Sequence, residues 1–145
     1  MFGSLGLQAL AMVIDEFYFH RRRGLPLWER VGHPADTLSV LACFLFVLNT
    51  PLTKSSLLIY SVMCIFSCLL VTKDEFVHQS ICPAGEHWLH SILFILHPIS
   101  FLAVYFIWSE LPALRPVVWV QTGLVGTFAL YQIIYWNILW KKSPA

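Results

Sequence analysis

The sequence predicts an all-α integral membrane protein with five transmembrane helices. Of its 145 residues, 58% are apolar and only 12% are charged, against roughly 25% charged residues in an average soluble domain. Five stretches come near the about 20 apolar residues that cross a bilayer. The basic residues gather at the ends of these stretches. The length fits a single membrane domain, residues 1–145, with no room for a soluble catalytic domain beside it.

The five predicted spans are separated by short segments of turn-forming residues. They cover residues 4–20, 26–50, 55–78, 83–109 and 112–140. Pro26, Pro83 and Pro112 stand at the start of three of them. Proline suits the first turn of a helix, where its missing N–H is not needed.

Positive charges predict the orientation, because short cytoplasmic loops carry an excess of Lys and Arg. We expect the N-terminus outside and the C-terminus in the cytoplasm. Seven basic residues then fall on the inner side: Arg21, Arg22, Arg23, Arg30, Lys73, Lys141 and Lys142. Only Lys54 and Arg115 fall outside. The formal net charge of +1 excludes a nucleic-acid partner, which needs a clear basic excess.

Ionisable side chains concentrate near the predicted inner face. All six histidines and seven of the eight acids fall there, and Glu110 is the exception. Ionisable groups at membrane depth are costly unless they are paired, metal-bound or facing a polar cavity. This concentration therefore predicts a functional site.

The polar residues also recur in two copies. The copies read Asp15-Glu16-Phe17, His20, Pro26-x-x-Glu29-x-x-x-His33 and Asp74-Glu75-Phe76, His78, Pro83-x-x-Glu86-x-x-x-His90. We expect two parallel helical-hairpin repeats, about 4–50 and about 55–109. The extra helix, about 112–140, would pack against them.

Four pairs of a carboxylate and a histidine are spaced four residues apart, which places both groups on one helix face. The pairs are Glu16 and His20, Glu29 and His33, Asp74 and His78, and Glu86 and His90. Eight N and O donors suit two metal ions, and the lack of thiolate favours iron or zinc, with manganese as a further option.

Asp15 and Glu75 adjoin proposed ligands and are candidate catalytic bases or orienting groups. Which acid of each adjacent pair binds the metal directly stays open.

Two further residues are possible ligands. Asp36 follows His33 by three residues, about one turn, and could bind metal or accept the N–H of a ligating histidine. His97 lies about 10 Å beyond His90 along the same helix, as a ligand or as a hydrogen-bonded core histidine. The alternatives to a metal site are a buried salt-bridge and hydrogen-bond network, or a proton or ion path.

The donor set resembles two kinds of metalloenzyme. Carboxylates and histidines from four helices resemble the di-iron carboxylate bundles. Their position at helix ends resembles the integral-membrane desaturases and hydroxylases, which carry more histidines. The bundle spacing Glu-x-x-His occurs here only from Glu75 to His78. The resemblance implies a di-iron centre that uses O₂, with a cytoplasmic electron donor.

Three functions follow as hypotheses. In the first, a di-iron centre oxidises a lipid-like or other apolar substrate that enters from the bilayer. In the second, zinc-bound water attacks an ester, amide or phosphoester, with Asp15 or Glu75 as general base. In the third, the same ligands form the site of a metal or proton transporter. Polar residues beyond the cluster are few, which weakens the third.

Overall fold

The computed structural model describes residues 2–76 and 82–140, except for the side chains of Phe2 and Asp74, and these residues include no strand. Five helices of 13 or more residues carry the fold. They are α1 (Phe2–Ile14), α2 (Leu27–Asn49), α3 (Lys54–Val71), α4 (Ala84–Ser109) and α5 (Arg115–Ile134).

Two of these helices continue as π-helices, in which the turn is wider than in an α-helix. α1 continues through Asp15–His20 and a further turn, Arg21–Arg23, and α5 continues through Tyr135–Leu139. Gly24, with φ +73°, ends the first of these segments. A Cβ atom at Gly24 would approach the Trp140 side chain to 2.9 Å, so a larger residue there meets both strain and a clash.

Local sequence signals account for several helix starts. Pro26 and Pro83 are the N-cap residues of α2 and α4. Thr53 caps α3 in a reciprocal capping box with Ser56. The predicted spans 26–50 and 83–109 therefore agree with α2 and α4 to within one residue at each end.

Four helices are long and apolar enough to cross a bilayer. They are Leu27–Asn49, Lys54–Val71, Ala84–Ser109 and Pro112–Leu139. Large apolar side chains such as Leu58, Ile65 and Leu69 are exposed on the outside of the bundle, as expected for contact with lipid. The protein is all-helical in the described residues. A fifth crossing by residues 4–20 and the orientation of the termini stay predictions.

The helices pack in an order that differs from two separate hairpins. α2 packs most extensively against α5, α1 packs mainly against α4, and α3 contacts both α2 and α4. Around the bundle the order is α1, α4, α3, α2, α5. The predicted hairpins would make α1 and α2 principal neighbours, so this packing does not confirm the two-hairpin repeat.

The apolar core fills one end of the bundle. Cys43 and Val47 of α2, Val104 and Ile107 of α4, and Val118 of α5 are almost fully buried there. The ionisable residues lie at the other end. The bundle therefore has an apolar end that excludes water and a polar end that can carry chemistry.

Candidate metal centre

Buried carboxylates and histidines form a cluster at the polar end of the bundle. They come from the π-helix after α1 and from the first two turns of α2 and α4. The members are Asp15, Glu16, His20, Glu29, His33, Glu86 and His90. All are buried except His33, which is partly buried. Buried ionised groups are costly unless their charges are compensated, so this cluster must contain its own compensation.

The π-helix determines which acid of the first segment faces the cluster. Its hydrogen bonds join residues five apart, whereas those of an α-helix join residues four apart. Asp15 and His20 are five apart, and His20 Nε2 lies 3.2 Å from Asp15 Oδ2. The structure therefore brings Asp15, rather than Glu16, into the group that could hold a metal ion.

That group consists of Asp15, His20, Glu86 and His90, whose ligand atoms lie within 4.8 Å of one another. His20 Nε2 is 3.5 Å from Glu86 Oε1, and His90 Nε2 is 3.0 Å from Asp15 Oδ1. Ligands about 2.0–2.2 Å from a common ion are at most about 4.4 Å apart. A contraction of a few tenths of an ångström would let two imidazoles and two carboxylates hold one ion.

Several atoms of this group lack hydrogen-bond geometry to the described residues. They include Oε2 of Glu86 and both ring nitrogens of His20, which lie 3.2 to 3.6 Å from carboxylate oxygens. His20 is 1% exposed and Glu86 is fully buried, so bulk water does not reach them. Buried polar atoms are normally partnered. A bound cation would satisfy the carboxylate oxygen and the ring nitrogen that faces it.

A second group shares His20 with the first. His20, Glu29 and His33 also offer ligand atoms within 4.8 Å of one another, and the two imidazole rings stack with centroids 4.6 Å apart. Arg23 Nη2 donates to Glu29 Oε2 at 2.7 Å and to Glu86 Oε1 at 2.8 Å. The Arg23 guanidinium therefore already neutralises the carboxylate that a second metal ion would need.

Arg23 is held as a cation. Burial alone would lower the pKa of its guanidinium, but hydrogen bonds to the carboxylates of Glu29 and Glu86 raise that pKa above its ordinary value. One arginine offsets only part of the charge of four buried carboxylates, which include Asp15 and Glu16. Protons on the histidines or a metal ion must supply the rest.

Glu16 lies behind His20. Its Oε2 is 3.6 Å from His20 Nδ1, while His20 Nε2 faces the metal group. Trp136 Nε1 donates to Glu16 Oε1, and Gln132 Nε2 approaches Glu16 Oε2 at 3.5 Å. The Thr37 hydroxyl in turn donates to Gln132 Oε1 at 2.7 Å. A carboxylate hydrogen-bonded to the far nitrogen of a ligating histidine fixes its tautomer and ring orientation. A contraction of a few tenths of an ångström would bring Glu16 to that distance, which makes Glu16 a candidate positioning residue.

The two possible additional ligands lie outside both groups. Asp36 accepts hydrogen bonds of 2.7 and 2.8 Å from Lys73 Nζ. Gln8 Nε2 donates to His97 Nδ1 at 3.2 Å, so the ring proton is on Nε2, which donates to Ser67 Oγ at 3.0 Å. Both ring nitrogens of His97 are thus occupied, as expected for a hydrogen-bonded core histidine.

Part of the second copy of the motif lies outside the described residues. The whole of His78 and the side chain of Asp74 are in this part. Glu75 is exposed, its Oε1 lies 3.7 Å from His87 Nδ1, and it belongs to neither group of possible metal ligands. The roles predicted for Asp74, Glu75 and His78 stay predictions.

Three residues at the centre are not predicted by the sequence patterns: Arg23, Gln132 and Trp136. The run Arg21–Arg23 reads as a topology signal, yet Arg23 points into the cluster. Its position three residues after His20, on the same helix face, was the available signal. Gln132 and Trp136 are also four apart on one face, but nothing local connects them to Glu16, more than 100 residues earlier in the chain.

A cavity of about 530 Å³ extends from the cluster into the bundle. Its polar end includes Asp15, His20, His33 and His90. Beyond them the walls are mainly apolar side chains of α1, α2, α4 and α5. Its volume lies within the range of about 300–1,000 Å³ that is typical of small-molecule sites. The candidate metal centre therefore borders a space large enough for an organic ligand.

The chain matches no protein family model, no curated protein and no solved structure. What the site does must be inferred from its own geometry.

Proposed function

We propose that this chain is an integral-membrane metal enzyme that acts on an apolar or lipid-like substrate. The observation that carries the proposal is the buried group of Asp15, His20, Glu86 and His90 at the polar end of an apolar cavity. The ion would be held at the wall of the cavity, where an organic substrate can reach it.

Charge and hydrogen bonding support a metal ion over a salt-bridge network alone. A complete network would pair the buried polar atoms, whereas Glu86 Oε2 has no hydrogen-bond partner among the described residues. The His20 nitrogens lie 3.2 to 3.6 Å from carboxylate oxygens, at ion-pair distance but without hydrogen-bond geometry. Arg23 hydrogen-bonds the buried acids Glu29 and Glu86 and contributes one positive charge. A divalent cation reduces the remaining negative charge and uses the lone pairs that face the group.

The packing of the apolar end of the bundle supports an enzyme over a transporter. Residues such as Val47, Ile107 and Val118 fill that end and are almost fully buried. An ion leaving the centre in that direction would enter an apolar core with few oxygen or nitrogen ligands. The cavity suits retention of a substrate better than passage of an ion.

Iron-dependent oxidation is the leading form of the proposal. The substrate C–H bond, O₂, two electrons and two protons would yield an alcohol and one water. The electrons would come from a protein electron donor at the polar end of the bundle. The four-donor group can hold one iron. A second ion, as in a di-iron centre, would use Glu29 and His33, would compete with the first ion and with Glu16 for His20, and would have to displace Arg23 from Glu29.

Zinc-dependent hydrolysis is the second form, and the position of Asp15 favours it. With His20, His90 and Glu86 as the three protein ligands that catalytic zinc sites commonly use, Asp15 is left beside the fourth position. It could accept a proton from zinc-bound water as that water adds to an ester or amide carbonyl. The products would be a carboxylic acid and an alcohol or amine.

Metal analysis of the purified full-length protein tests the proposal. We expect about one iron or zinc ion per chain by elemental mass spectrometry. His20→Ala and His90→Ala should each lower the metal content at least tenfold. Iron in the wild-type protein would support oxidation, and zinc would support hydrolysis.

His97→Ala is the matched control, because His97 is equally buried on α4 but lies outside the metal group. It should keep its metal. Size-exclusion chromatography and circular dichroism would confirm that each variant is folded, and His90→Gln offers a milder change if His90→Ala is not. A folded wild-type protein without transition metal, or equal metal content in all variants, would refute the proposal.

A further inference from the structure

The ring of helices is open on one side. Its order is α1, α4, α3, α2, α5, and the strongest contacts of the two end members, α1 and α5, are with α4 and α2. The Phe17 and Tyr131 rings, with centroids 5.2 Å apart, join the two sides near the polar end. The cavity lies behind this gap between α1 and α5.

Exposure of the lining residues locates the opening. Among the residues that line the cavity, the exposed ones are Val13, Phe17, Leu124 and Thr127. All four belong to α1, to its π-helical continuation or to α5. The lining residues of α2, α3 and α4 are buried or partly buried. The cavity therefore opens sideways between α1 and α5, toward the surface that faces lipid.

The length of the cavity matches one leaflet of a bilayer. On α5 its lining runs from Gln121 to Gln132, and eleven residues of helix are about 16 Å long. The hydrocarbon core of a bilayer is about 30 Å thick, so one leaflet contributes about half of that. This length and the cavity volume of about 530 Å³ suit one extended chain of an organic ligand.

The polarity of the walls orients such a chain. Three ionisable side chains, Asp15, His20 and His90, lie at one end, whereas Leu5, Phe44 and Leu124 lie toward the other end, near the neutral amide of Gln121. A polar head group loses free energy if it is buried among apolar side chains without hydrogen bonds. The head must therefore lie at the metal centre and the tail must point toward the apolar end.

The charge of the centre selects the head group. The four buried carboxylates carry four negative charges, and Arg23 hydrogen-bonds two of them. On the proposed function, Arg23 and one divalent ion supply three positive charges, which leaves one negative charge when the histidines are neutral. A second negative charge on the ligand would be repelled at short range. A neutral head with an oxygen that can approach the metal, such as an alcohol, ester or amide, avoids this repulsion.

We propose that the cavity binds a neutral single-chain amphiphile, which enters from one leaflet between α1 and α5 and places its head at the metal centre. The head-group assignment rests on the proposed function, whereas the entry route and the single chain rest on the cavity alone. Any chemistry would then occur at the head-group end of the chain.

Photolabelling in proteoliposomes tests this proposal. Two long-chain alcohols serve as probes, one with a diazirine at the tail and one with a diazirine next to the hydroxyl. We expect the tail probe to label residues near Leu5, Phe44 and Leu124, and the head probe to label residues near Phe17 and Tyr131. Unlabelled long-chain alcohol should compete, and the corresponding fatty acid should compete at least fivefold less well.

Cavity-filling variants provide the structural control. Ala9→Trp and Val125→Phe add volume at lining positions and should lower competable labelling at least fivefold. Leu130→Trp, on the exposed outer face of α5, should leave labelling unchanged. The use of two filling variants guards against misfolding of one, which size-exclusion chromatography would detect.

The outcomes separate this inference from the proposed function. Labelling confined to outward-facing residues, a reversed head and tail pattern, or equal competition by the fatty acid would overturn the inference. The head and tail pattern should persist in the His20→Ala variant if the cavity alone selects the chain. Normal metal content without competable labelling would refute the amphiphile site only. The expected head and tail labelling in a protein without bound metal would refute the metal enzyme only.

Discussion

His90 and His97 lie seven residues apart on the same helix, are buried to the same extent, and have opposite surroundings. His90 faces the Asp15 carboxylate at 3.0 Å in a cluster of ionisable groups. His97 lies between two neutral groups, the Gln8 amide and the Ser67 hydroxyl. Burial and helix spacing are nearly equal at the two positions, so the partners supplied by other helices decide what each imidazole does.

The neutral surroundings of His97 extend into a directed chain of hydrogen bonds. His97 Nε2 donates to Ser67, the Ser67 and Ser39 hydroxyl oxygens are 2.6 Å apart, and Ser39 donates to the Asp36 carbonyl at 2.7 Å. Every polar atom along this chain is matched by a neutral partner. Such a chain stabilises the packing of α2, α3 and α4 without leaving coordination capacity for an ion.

Removing Arg23 from the cluster of buried carboxylates and histidines should have the largest effect on the free energy of unfolding. Arg23→Ala removes the guanidinium that hydrogen-bonds Glu29 and Glu86, and breaking a buried ion pair costs about 3–5 kcal/mol. We expect the free energy of unfolding in detergent, measured by denaturant titration, to fall by about this amount for the metal-free protein. Arg22→Ala is the control, because Arg22 is exposed over the Tyr18 ring, and it should cost at most about 1 kcal/mol.

Metal ions should reduce the cost of this change. Without Arg23 the carboxylate of Glu29 becomes available to a second ion. We expect added zinc to restore more stability to Arg23→Ala than to the wild-type protein. Equal stability of Arg23→Ala and Arg22→Ala would show that Arg23 does not compensate the buried acids.

Neutralising the carboxylate behind His20 should have the next largest effect. Glu16→Gln keeps an acceptor for Trp136 but weakens the partner that orients His20 through Nδ1. Loss of such a partner typically lowers metal affinity about 10–100-fold. Competition with a chelator would measure the affinity, and Glu110→Gln, at an exposed position, should leave it unchanged. Unchanged affinity in Glu16→Gln would contradict the positioning role of Glu16.

Breaking the neutral chain should have the smallest effect, and on stability only. Ser67→Ala removes the acceptor of His97 and a partner of Ser39, which costs about 1–3 kcal/mol when the remaining groups are buried. Ser61→Ala on the same helix is the control, since Ser61 bonds only to the Leu57 carbonyl of its own helix in the described contacts. Thermal unfolding would measure the difference, and metal content should match the wild type. Loss of metal in Ser67→Ala would contradict the separation of the neutral chain around His97 from the metal group around His90.

Local sequence signals were sufficient for much of the fold. Hydropathy and the positions of Pro26 and Pro83 predict α2 and α4 to within a residue, because these signals act within the helix itself. The order in which the helices pack could not be predicted from the sequence. Nothing in the spacing of residues 4–50 shows that α1 lies against α4 rather than α2, since that choice depends on the surfaces of all five helices.

Helical spacing predicts much of the candidate site, because it depends only on residues within one helix. His20, Glu86 and His90 follow from α-helical periodicity within one segment each. The choice between Asp15 and Glu16 could not follow, because it depends on a π-helix that changes the periodicity. The role of Arg23 also depends on two carboxylates from α2 and α4 that converge on it only in the folded bundle.

Because residues 15–20 form a π-helix, the number of residues between Ile14 and Arg21 determines the geometry of both the metal centre and the cavity. Deleting one residue there would restore ordinary α-helical geometry, turn α1 by about 100° and shift it by about 1.5 Å. Asp15 would leave the metal group, and Gln8 and Met12, which line the cavity, would turn away from it at the same time. A single-residue deletion would thus damage the metal centre and reshape the cavity. A change in the length of this segment cannot alter one of the two sites without altering the other.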